Sequence, residues 1–176
     1  CFIMAISRPV KLILSFNEET EINFESNNYW NIKWNVFSVW KNVLMKSCII
    51  YWANASWKTN ILRAINFIKN IALFSHETNF NANTTPFLLN SNWSNSPSFF
   101  EICFFIDNIE YIYNFEILQD KIISENLYEI RKIKPEIIFT RNNLEITPWK
   151  WFEKELEKWK DKVRENSSVI AVLSQW

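Results

Sequence analysis

The chain has 176 residues and no glycine, and this absence limits the backbone conformations that it can use. Glycine takes a positive φ angle without steric cost, so tight turns normally contain it. An average soluble protein has about 7% glycine. A chain without it has to build such turns from Asn or Asp, the other residues that tolerate the left-handed region. We therefore predict that Asn and Asp occupy the tight turns.

Ten tryptophans are present, several of them where glycine is the usual residue. Trp93 lies in the polar run SNWSNSPS, and Trp149 and Trp151 follow a Thr-Pro pair. These are turn and loop contexts. We therefore hypothesise that Trp stands in place of glycine. Some bacterial genetic codes translate UGA as glycine and others as tryptophan, so reading the gene with the wrong code would place Trp at each UGA-encoded glycine.

The alternative is a non-enzymatic, Trp-rich β protein that binds a ligand or single-stranded nucleic acid by stacking on exposed indoles. The abundance of Asn, Ile, Lys and Phe indicates an AT-rich gene, in which the UGG codon of tryptophan is scarce. This composition favours the glycine hypothesis. The codons at the ten positions separate the two interpretations.

The overall composition is that of a globular chain with a sizeable core, since 48% of its residues are hydrophobic. Nineteen basic and nineteen acidic residues give a formal net charge of +0, which offers no global electrostatic attraction to nucleic acid or anionic membrane. No apolar run reaches the roughly 18 residues that span a bilayer, so we expect no membrane partner. The cysteines Cys1, Cys48 and Cys103 lack metal-ligand spacing and indicate buried, reduced thiols, which favours the cytoplasm.

Several secondary-structure elements follow from the pattern of apolar residues and turns. Strands over 10–16 and 21–25, joined by the polar turn 17–20, predict an N-terminal hairpin. The apolar run 47–51 is short enough for a strand buried on both faces. An i, i+3/i+4 pattern then predicts an amphipathic helix over 58–74. Its apolar positions are Ile61, Leu62, Ile65, Ile68 and Ala72.

The second half of the chain is dominated by β-branched and aromatic runs that Asn- and Asp-containing turns separate. These runs predict an antiparallel β-meander. Its strands are expected at 98–106, 110–117, 121–130, 136–140 and 144–147. A charged segment over 152–164 has a helical pattern, and 168–173 is an apolar element of undetermined type. The polar segments 75–85 and 91–98 are predicted to be surface loops.

The stretch YWANASWKTN, residues 51–60, has the form of a phosphate-binding loop. With glycine at positions 52 and 57, residues 52–59 match the pattern G-x-x-x-x-G-K-[ST], between a predicted strand and a predicted helix. Lys58 is then expected to reach the β- and γ-phosphates of ATP, and Thr59 to offer its hydroxyl to Mg²⁺. Indoles at 52 and 57 would block the phosphate path. The predicted ATP-binding residues are Trp52, Ala53, Asn54, Ala55, Ser56, Trp57, Lys58, Thr59 and Asn60. The alternative is an ordinary helix start that happens to contain Lys-Thr.

Together with this loop, further segments resemble the ATP-binding AAA-family ATPases of ABC-like (RecF/OLD-like) architecture. They are 15–19 (SFNEE), 62–68 (LRAINFI), 86–87 (PF), 100–104 (FEICF), 111–116 (YIYNFE), 123–128 (ISENLY) and 164–167 (RENS). The loop is highly specific, and the other segments follow in the expected order. Where many relatives have Asn-Phe-Arg, this chain has Leu12-Ile13-Leu14, so no basic N-terminal contact to nucleotide is assigned.

The resemblance implies an α/β P-loop NTPase fold, an ABC-ATPase-like N-terminal lobe in which a phosphate-loop strand–helix unit accompanies the antiparallel meander. It also implies ATP binding and hydrolysis with Mg²⁺, and a homodimer of ATPase heads that controls an effector protein or a DNA-related activity. No Walker B strand, signature motif or switch histidine is recognised before Trp176. Residues 1–176 are therefore expected to be the N-terminal part of such a domain and to be inactive alone.

One catalytic candidate comes from the same resemblance. Gln175, after the apolar run VIAVL, is where such enzymes place a glutamine that touches Mg²⁺ and the attacking water, and residues 168–176 are then expected near the phosphate loop. An exposed terminal residue is the alternative. His76 is the only histidine, so no nucleophilic triad can be assembled, and it is predicted to be a surface residue. The carboxylates Glu101, Glu116 and Glu125 are predicted to face solvent from their strands.

Overall fold

The computed structural model describes residues 10–12, 20–26, 33–39, 42–47, 49, 57–80, 97–131, 134–149 and 151–175. Its strands are β1 (Val10–Leu12), β2 (Thr20–Ile22), β3 (Val36–Val39), β4 (Asn42–Met45), β5 (Ser98–Ile106), β6 (Ile109–Leu118), β7 (Lys121–Ile130), β8 (Glu136–Asn142) and β9 (Glu145–Pro148). Its α-helices are α1 (Trp57–Phe74), α2 (Glu153–Glu157) and α3 (Val169–Leu173), with short 3₁₀ turns at Lys33–Asn35 and Lys160–Lys162.

Seven strands form one antiparallel sheet in the order β2-β1-β5-β6-β7-β8-β9. The five strands from β5 to β9 follow one another in sequence and in space, so the predicted meander is confirmed. The predicted N-terminal hairpin is also confirmed by the pairing of β1 with β2, although its turn lies outside the described residues. β3 and β4 make a separate two-stranded sheet. The described chain is therefore an α/β protein with antiparallel sheets.

The hairpin turns show how a glycine-free chain reverses direction. Positive φ angles occur at Asp107 (50°), Asn108 (63°), Gln119 (56°) and Asn143 (54°), each in a two-residue loop between meander strands. Asp107 and Asn108 are both positive, as a type I′ hairpin turn requires. Asn and Asp thus fill three of these four positions, as predicted. Gln119 is the exception, and its longer side chain makes that conformation less favourable.

The predicted helix over 58–74 is confirmed as α1, which begins one residue earlier. Its apolar stripe packs on one face of the sheet, where a cluster of fully buried side chains forms the main core. The helix contributes Ala64, Ile68 and Ile71, and the sheet contributes Phe100, Ile102, Tyr113, Phe115, Ile117 and Ile122. The ring centroids of Phe67 and Phe100 lie 4.9 Å apart. Aromatic contacts of this kind fix the helix on the sheet beyond simple burial of area.

Two smaller clusters complete the described core. α2, α3 and the segment between them cover β8, where Phe139 and Val169 are fully buried. On β5, Phe105 alternates with Phe100 and Ile102 and so faces the opposite side of the sheet. There it packs against Leu44 of β4. The small β3–β4 sheet therefore covers the second face of the large sheet at this end.

The prediction of a doubly buried strand over 47–51 is wrong for the residues that can be compared. Ser47 and Ile49 are outside any strand, and the Ile49 side chain is 77% exposed. Polar bonds hold Ser47 against the Lys33–Asn35 turn, since the Asn35 amide donates to the Ser47 carbonyl oxygen at 2.9 Å. That carbonyl is therefore engaged by a side chain and not by a neighbouring strand. Residues 48, 50 and 51 lie outside the described part.

The charged segment 152–164 is helical over a much shorter length than predicted. α2 has five residues, and a 3₁₀ turn follows it. Leu156 and Val163 are the buried apolar residues there, so too few positions face the core to hold a long helix. The undetermined element 168–173 contains α3. Among the described residues, no helix is long and apolar enough to cross a membrane.

Candidate functional site

Four of the residues expected to hold phosphate lie at the N-terminal end of α1. Trp57, Lys58, Thr59 and Asn60 form its first turn, of which the backbone is described. That turn contains no acidic residue. The first backbone N–H groups of a helix have no partner within the helix, and the helix dipole favours negative charge at this end. A phosphate here would meet the positive end of the helix dipole without an acidic residue in that turn. Residues 51–56, which include Trp52, Ala53, Asn54, Ala55 and Ser56, lie outside the described residues.

The C-terminal end of α1 is held by side chains from a distant part of the chain. The Arg164 guanidinium donates through Nη2 to the carbonyl oxygens of Ser75, His76 and Glu77, at 3.3, 2.8 and 2.8 Å. These carbonyls follow the last turn of the helix, where partners within the helix are lacking. A cation there also opposes the negative end of the helix dipole. Arg164 therefore stabilises α1 at the end away from the predicted phosphate site.

Two buried serines join the same end of α1 to α3. The Ser75 hydroxyl donates to the carbonyl oxygen of Ile71 at 2.5 Å and accepts from the backbone N–H of Ser168 at 2.8 Å. The Ser168 hydroxyl accepts from the N–H of Ala171 at 3.0 Å, which makes Ser168 the N-cap of α3, and donates to the Ile71 carbonyl oxygen at 3.0 Å. The start of α3 is thus bonded directly to the last turn of α1.

A fully buried ion pair lies beneath these contacts. Arg141 of β8 and Glu125 of β7 approach at 3.3 Å, and both side chains are 0% exposed. Glu125 also accepts the Tyr113 hydroxyl at 3.0 Å and the backbone N–H of Val169, the first residue of α3, at 2.9 Å. The negative carboxylate therefore lies at the positive end of a short helix. Its partners supply charge and hydrogen bonds from three elements of the fold.

Arg141 also holds the segment that leads into α3. It donates to the carbonyl oxygens of Ser167 at 2.5 Å and Arg164 at 2.8 Å, and a third bond joins it to the carbonyl oxygen of Asn143. The backbone N–H of Arg164 donates in turn to the Ser167 hydroxyl at 2.7 Å. In the described part of the chain, every buried side-chain nitrogen or oxygen has a partner. The network is therefore complete as it stands.

Burial governs the titration of this network. It raises the pKa of the Glu125 carboxyl, although Arg141 and the N–H of Val169 act in the opposite direction. Burial and the neighbouring Glu125 carboxylate raise the pKa of the Tyr113 hydroxyl well above its usual value. Tyr113 consequently remains a neutral hydrogen-bond donor. These groups have no exposed surface through which a substrate could reach them, so their arrangement is structural.

The prediction that Glu125 faces solvent is wrong, and a β-bulge is the physical reason. Between β6 and β7 the pairing passes from Glu116 opposite Ser124 to Ile117 opposite Ile122, so Ile123 is an extra residue. Strict alternation from the buried Ile122 would point residue 125 outward. The extra residue restores it to the core side. Glu101 and Glu116 are partly buried, and the Asn114 amide donates to the Glu101 carboxylate at 3.1 Å.

Gln175 is not brought to the predicted phosphate site. Its amide nitrogen lies 3.4 Å from Nδ1 of His76, just beyond the C-terminal end of α1. Lys58 and Thr59 are at the other end of this 18-residue helix, which at about 1.5 Å per residue is about 27 Å long. The expectation that residues 168–176 pack near the phosphate loop is therefore wrong for the described residues through Gln175. His76 is partly buried.

A long helix that packs on a β-sheet, with Lys-Thr in its first turn, is compatible with an α/β protein that binds nucleotide phosphates. Comparison with known families agrees with this class. The family model described as "AAA domain, putative AbiEii toxin, Type IV TA system" matches residues 49–164, two thirds of the chain. The chain belongs to this AAA-domain family, whose members are ATPases of P-loop type. No curated protein and no solved structure matches it.

The residues that sequence reasoning missed are those of the buried network, Arg141 and Ser168 above all. Their signal is weak because an arginine in a strand and a serine before an apolar run are common on surfaces. In the sequence, the segments 123–128 and 164–167 stand out only through the family resemblance. The structure gives both a physical role, because they contain Glu125, Arg164 and Ser167. Cys103 is buried, as predicted, whereas Cys1 and Cys48 lie outside the described residues.

Proposed function

We propose that this chain is the nucleotide-binding part of an ATPase and that it binds ATP with Mg²⁺ at the first turn of α1. The complete ATPase hydrolyses the bound ATP to ADP and phosphate. The observation that carries this proposal is where α1 begins. Because the helix starts at Trp57, Lys58 and Thr59 fall in its first turn, where anions are stabilised. Membership of an AAA-domain family supports the same function.

Each residue of the loop has a separate role in this proposal. Backbone N–H groups over 52–60 surround the phosphates, and glycine at positions 52 and 57 allows the backbone to approach closely enough. The Lys58 ammonium neutralises charge on the β- and γ-phosphates. The Thr59 hydroxyl is a ligand of Mg²⁺, which supplies Lewis-acid stabilisation of the phosphates when bound.

The proposal includes the hypothesis that the natural protein has glycine where the printed sequence has Trp. Three of the four described Trp side chains support it, because Trp34, Trp149 and Trp151 are 76%, 46% and 59% exposed, whereas Trp159 is partly buried against the cluster on β8. Tryptophan is on average a highly buried residue, since its large apolar surface favours the core. Exposure of this extent is expected where an indole occupies a position that suits a small residue.

We further propose the ABC-like, RecF/OLD-like organisation that the sequence resembles. In it, ATP drives association of two copies of the domain, and the nucleotide state controls an effector or an activity on DNA in the cytoplasm. The description of the matched family names a toxin of a type IV toxin–antitoxin system. An effector whose activity ATP controls is compatible with that description.

Isothermal titration with Mg²⁺ and ATP tests the proposed site in three full-length proteins. One carries Trp at all ten positions, the second carries glycine there, and the third adds Lys58→Ala to the glycine form. We expect binding by the glycine form and little by the Trp form. Lys58→Ala should weaken binding about 10- to 100-fold, because a hydrogen bond to a charged group contributes about 1.5–3 kcal/mol.

The matched control is Lys69→Ala, which removes an exposed lysine further along α1. It should leave ATP affinity unchanged, because position 69 is about 16 Å from position 58 along the helix. Equal affinity of the Trp and glycine forms would refute the role of glycine in the loop. Equal losses for Lys58→Ala and Lys69→Ala would refute the proposed phosphate contact.

A second candidate function rests on the same exposed indoles. Trp34, Trp149 and Trp151 would then be stacking positions for the bases of single-stranded nucleic acid. Mass spectrometry of the protein from its native host separates the two functions. Glycine at all ten positions gives a mass lower by ten tryptophan side chains and removes the stacking surface. A mass that matches the printed sequence would support the stacking function and refute the phosphate loop.

A further inference from the structure

The segment 164–168, which we name the bracket, is bonded on three sides. Through Arg164 and Ser168 it holds the C-terminal end of α1. Arg141 of β8 holds its carbonyl oxygens, and the N–H of Ile122 in β7 donates to the carbonyl oxygen of Glu165 at 2.8 Å. Its last residue caps α3. The bracket is therefore the place where the helix, the sheet and the final helix meet.

The bonds of the bracket resist relative movement of these elements. Ser75, Ser167 and Ser168 are all 0% exposed, so water cannot replace a partner that is lost. A buried polar group left without its hydrogen bond is destabilised by about 1–3 kcal/mol. Sliding the end of α1 past α3 would break several such bonds together. A displacement of the end of α1 is therefore transmitted to α3.

The other end of α1 is the site proposed for ATP. The helix is continuous over 18 residues, and its middle is packed tightly on the sheet through Ala64, Ile68 and Ile71. A continuous α-helix is stiff along its axis, because each turn is hydrogen-bonded to the next. Bound phosphate would order the first turn of α1. Because α1 is rigid along its axis, that ordering is transmitted to its C-terminal end, which the bracket holds.

We propose that the bracket couples ATP binding at the N-terminal end of α1 to the order of α3. Arg164 is the positioning residue of this device, since it alone spans three carbonyl oxygens of the helix end. The inference rests on the proposed ATP site. Coupling between two sites is typically 5- to 150-fold. ATP should accordingly slow the opening of α3 by a factor in this range.

Hydrogen exchange with mass spectrometry tests the coupling in the full-length glycine form. We expect Mg²⁺ and ATP to slow amide exchange in α3 by about 5- to 150-fold. In Arg164→Ala, measured with ATP at saturation, this ATP-dependent difference should disappear. The readout is the difference between the ATP-bound and free protein, because a merely structural role would change exchange equally in both states.

The matched control is Arg131→Ala, which removes an exposed arginine that is paired with the buried Glu129. It should keep the full effect of ATP on α3. If Arg164→Ala does not fold, Arg164→Lys replaces it, since an ammonium keeps the charge but lacks the planar fork. Binding of ATP without any change in α3, or the same change in both variants, overturns the coupling alone. Absence of ATP binding overturns the ATP site and the coupling together.

Discussion

The two ends of α1 differ in how their backbone groups are satisfied. At the C-terminal end, the Arg164 side chain and two serines, Ser75 and Ser168, bind the carbonyl oxygens and join the helix to α3. At the N-terminal end, the sequence supplies a cation and a hydroxyl, in a turn without acidic residues. One end is completed by the protein itself, and the other has the chemistry of a ligand site. Variants at the C-terminal end should therefore change folding, and variants at the N-terminal end should change binding.

The largest expected effect comes from Arg141→Met, beneath the C-terminal end. This change leaves Glu125 without its cation and removes one donor from each of the carbonyl oxygens of Arg164 and Ser167. Removing one partner of a buried ion pair destabilises a protein by about 3–5 kcal/mol. The measurement is urea unfolding. Lys158→Met, in an ion pair with Glu155 that is exposed on both sides, should change the free energy of unfolding by less than about 1 kcal/mol. Similar effects of the two variants would contradict the importance of burial.

Ser168→Ala should have the next largest effect. It removes the N-cap of α3 and a hydrogen bond to the last turn of α1. Loss of a serine cap destabilises by about 0.5–2 kcal/mol. Ser174→Ala is the control, because that hydroxyl donates only to the Ala171 carbonyl oxygen one turn earlier. Ser168→Ala should have a clearly lower Tm than Ser174→Ala in thermal unfolding. The opposite ranking of the two Tm values would show that Ser168 does not hold the junction of α1 and α3.

Gln119→Gly tests the glycine-free turns away from both ends of α1. Gln119 has a φ of 56°, where a residue with a Cβ is unfavourable by roughly 1–2 kcal/mol. Glycine there should stabilise the protein by about 1 kcal/mol, because part of that gain is offset by its freedom in the unfolded chain. Asp120→Gly, the next residue, has no positive φ to relieve and should not stabilise. ATP affinity should remain unchanged in both variants.

The subtlest expected effect is the pH dependence that Glu125 confers. Its unfolded carboxyl titrates near 4.5, and burial raises its pKa in the folded protein. The folded protein therefore keeps the Glu125 proton to higher pH than the unfolded chain does. The stability that the protonated carboxyl contributes is complete below pH 4.5 and is lost as the pH rises through the folded pKa. Relative to Glu125→Gln, which cannot ionise, the unmodified protein should lose stability as the pH rises. Unfolding by urea from pH 4 to 8 measures this difference, and the opposite slope would contradict it.

Much of the fold could be predicted because local signals are strong there. Two-residue turns between alternating runs define the meander, and a 3.6-residue period defines α1. Ile123 shows the limit of such reasoning, because one extra residue in a strand changes which face the following residues occupy. β3 was not predicted. β3 has only four residues, too few for a pattern that predicts a strand, and it is defined by its pairing with β4.

The candidate site was predictable only in part, for a related reason. The apolar period predicted the helix α1, which is confirmed, whereas the roles of Lys58 and Thr59 in its first turn stay predictions. Gln175 was assigned from its position after an apolar run, but α3 packs against the far end of α1. The partners of Arg141 and Arg164 are mostly backbone carbonyl oxygens, which every residue possesses. No side-chain pattern in the sequence therefore reveals them.

The distance along the chain between Arg164 and its acceptors has a consequence for synthesis on the ribosome. Arg164 follows the three carbonyl groups by 87 to 89 residues. At about 5–20 residues per second, on the order of ten seconds passes between their appearances. In the early part of that time α1 has emerged without β5, β6 and β7, the strands on which it packs, and an isolated helix of this length is marginal in water. The first turn of α1, where we propose that phosphate binds, is thus translated well before Arg164, which holds the other end of the same helix.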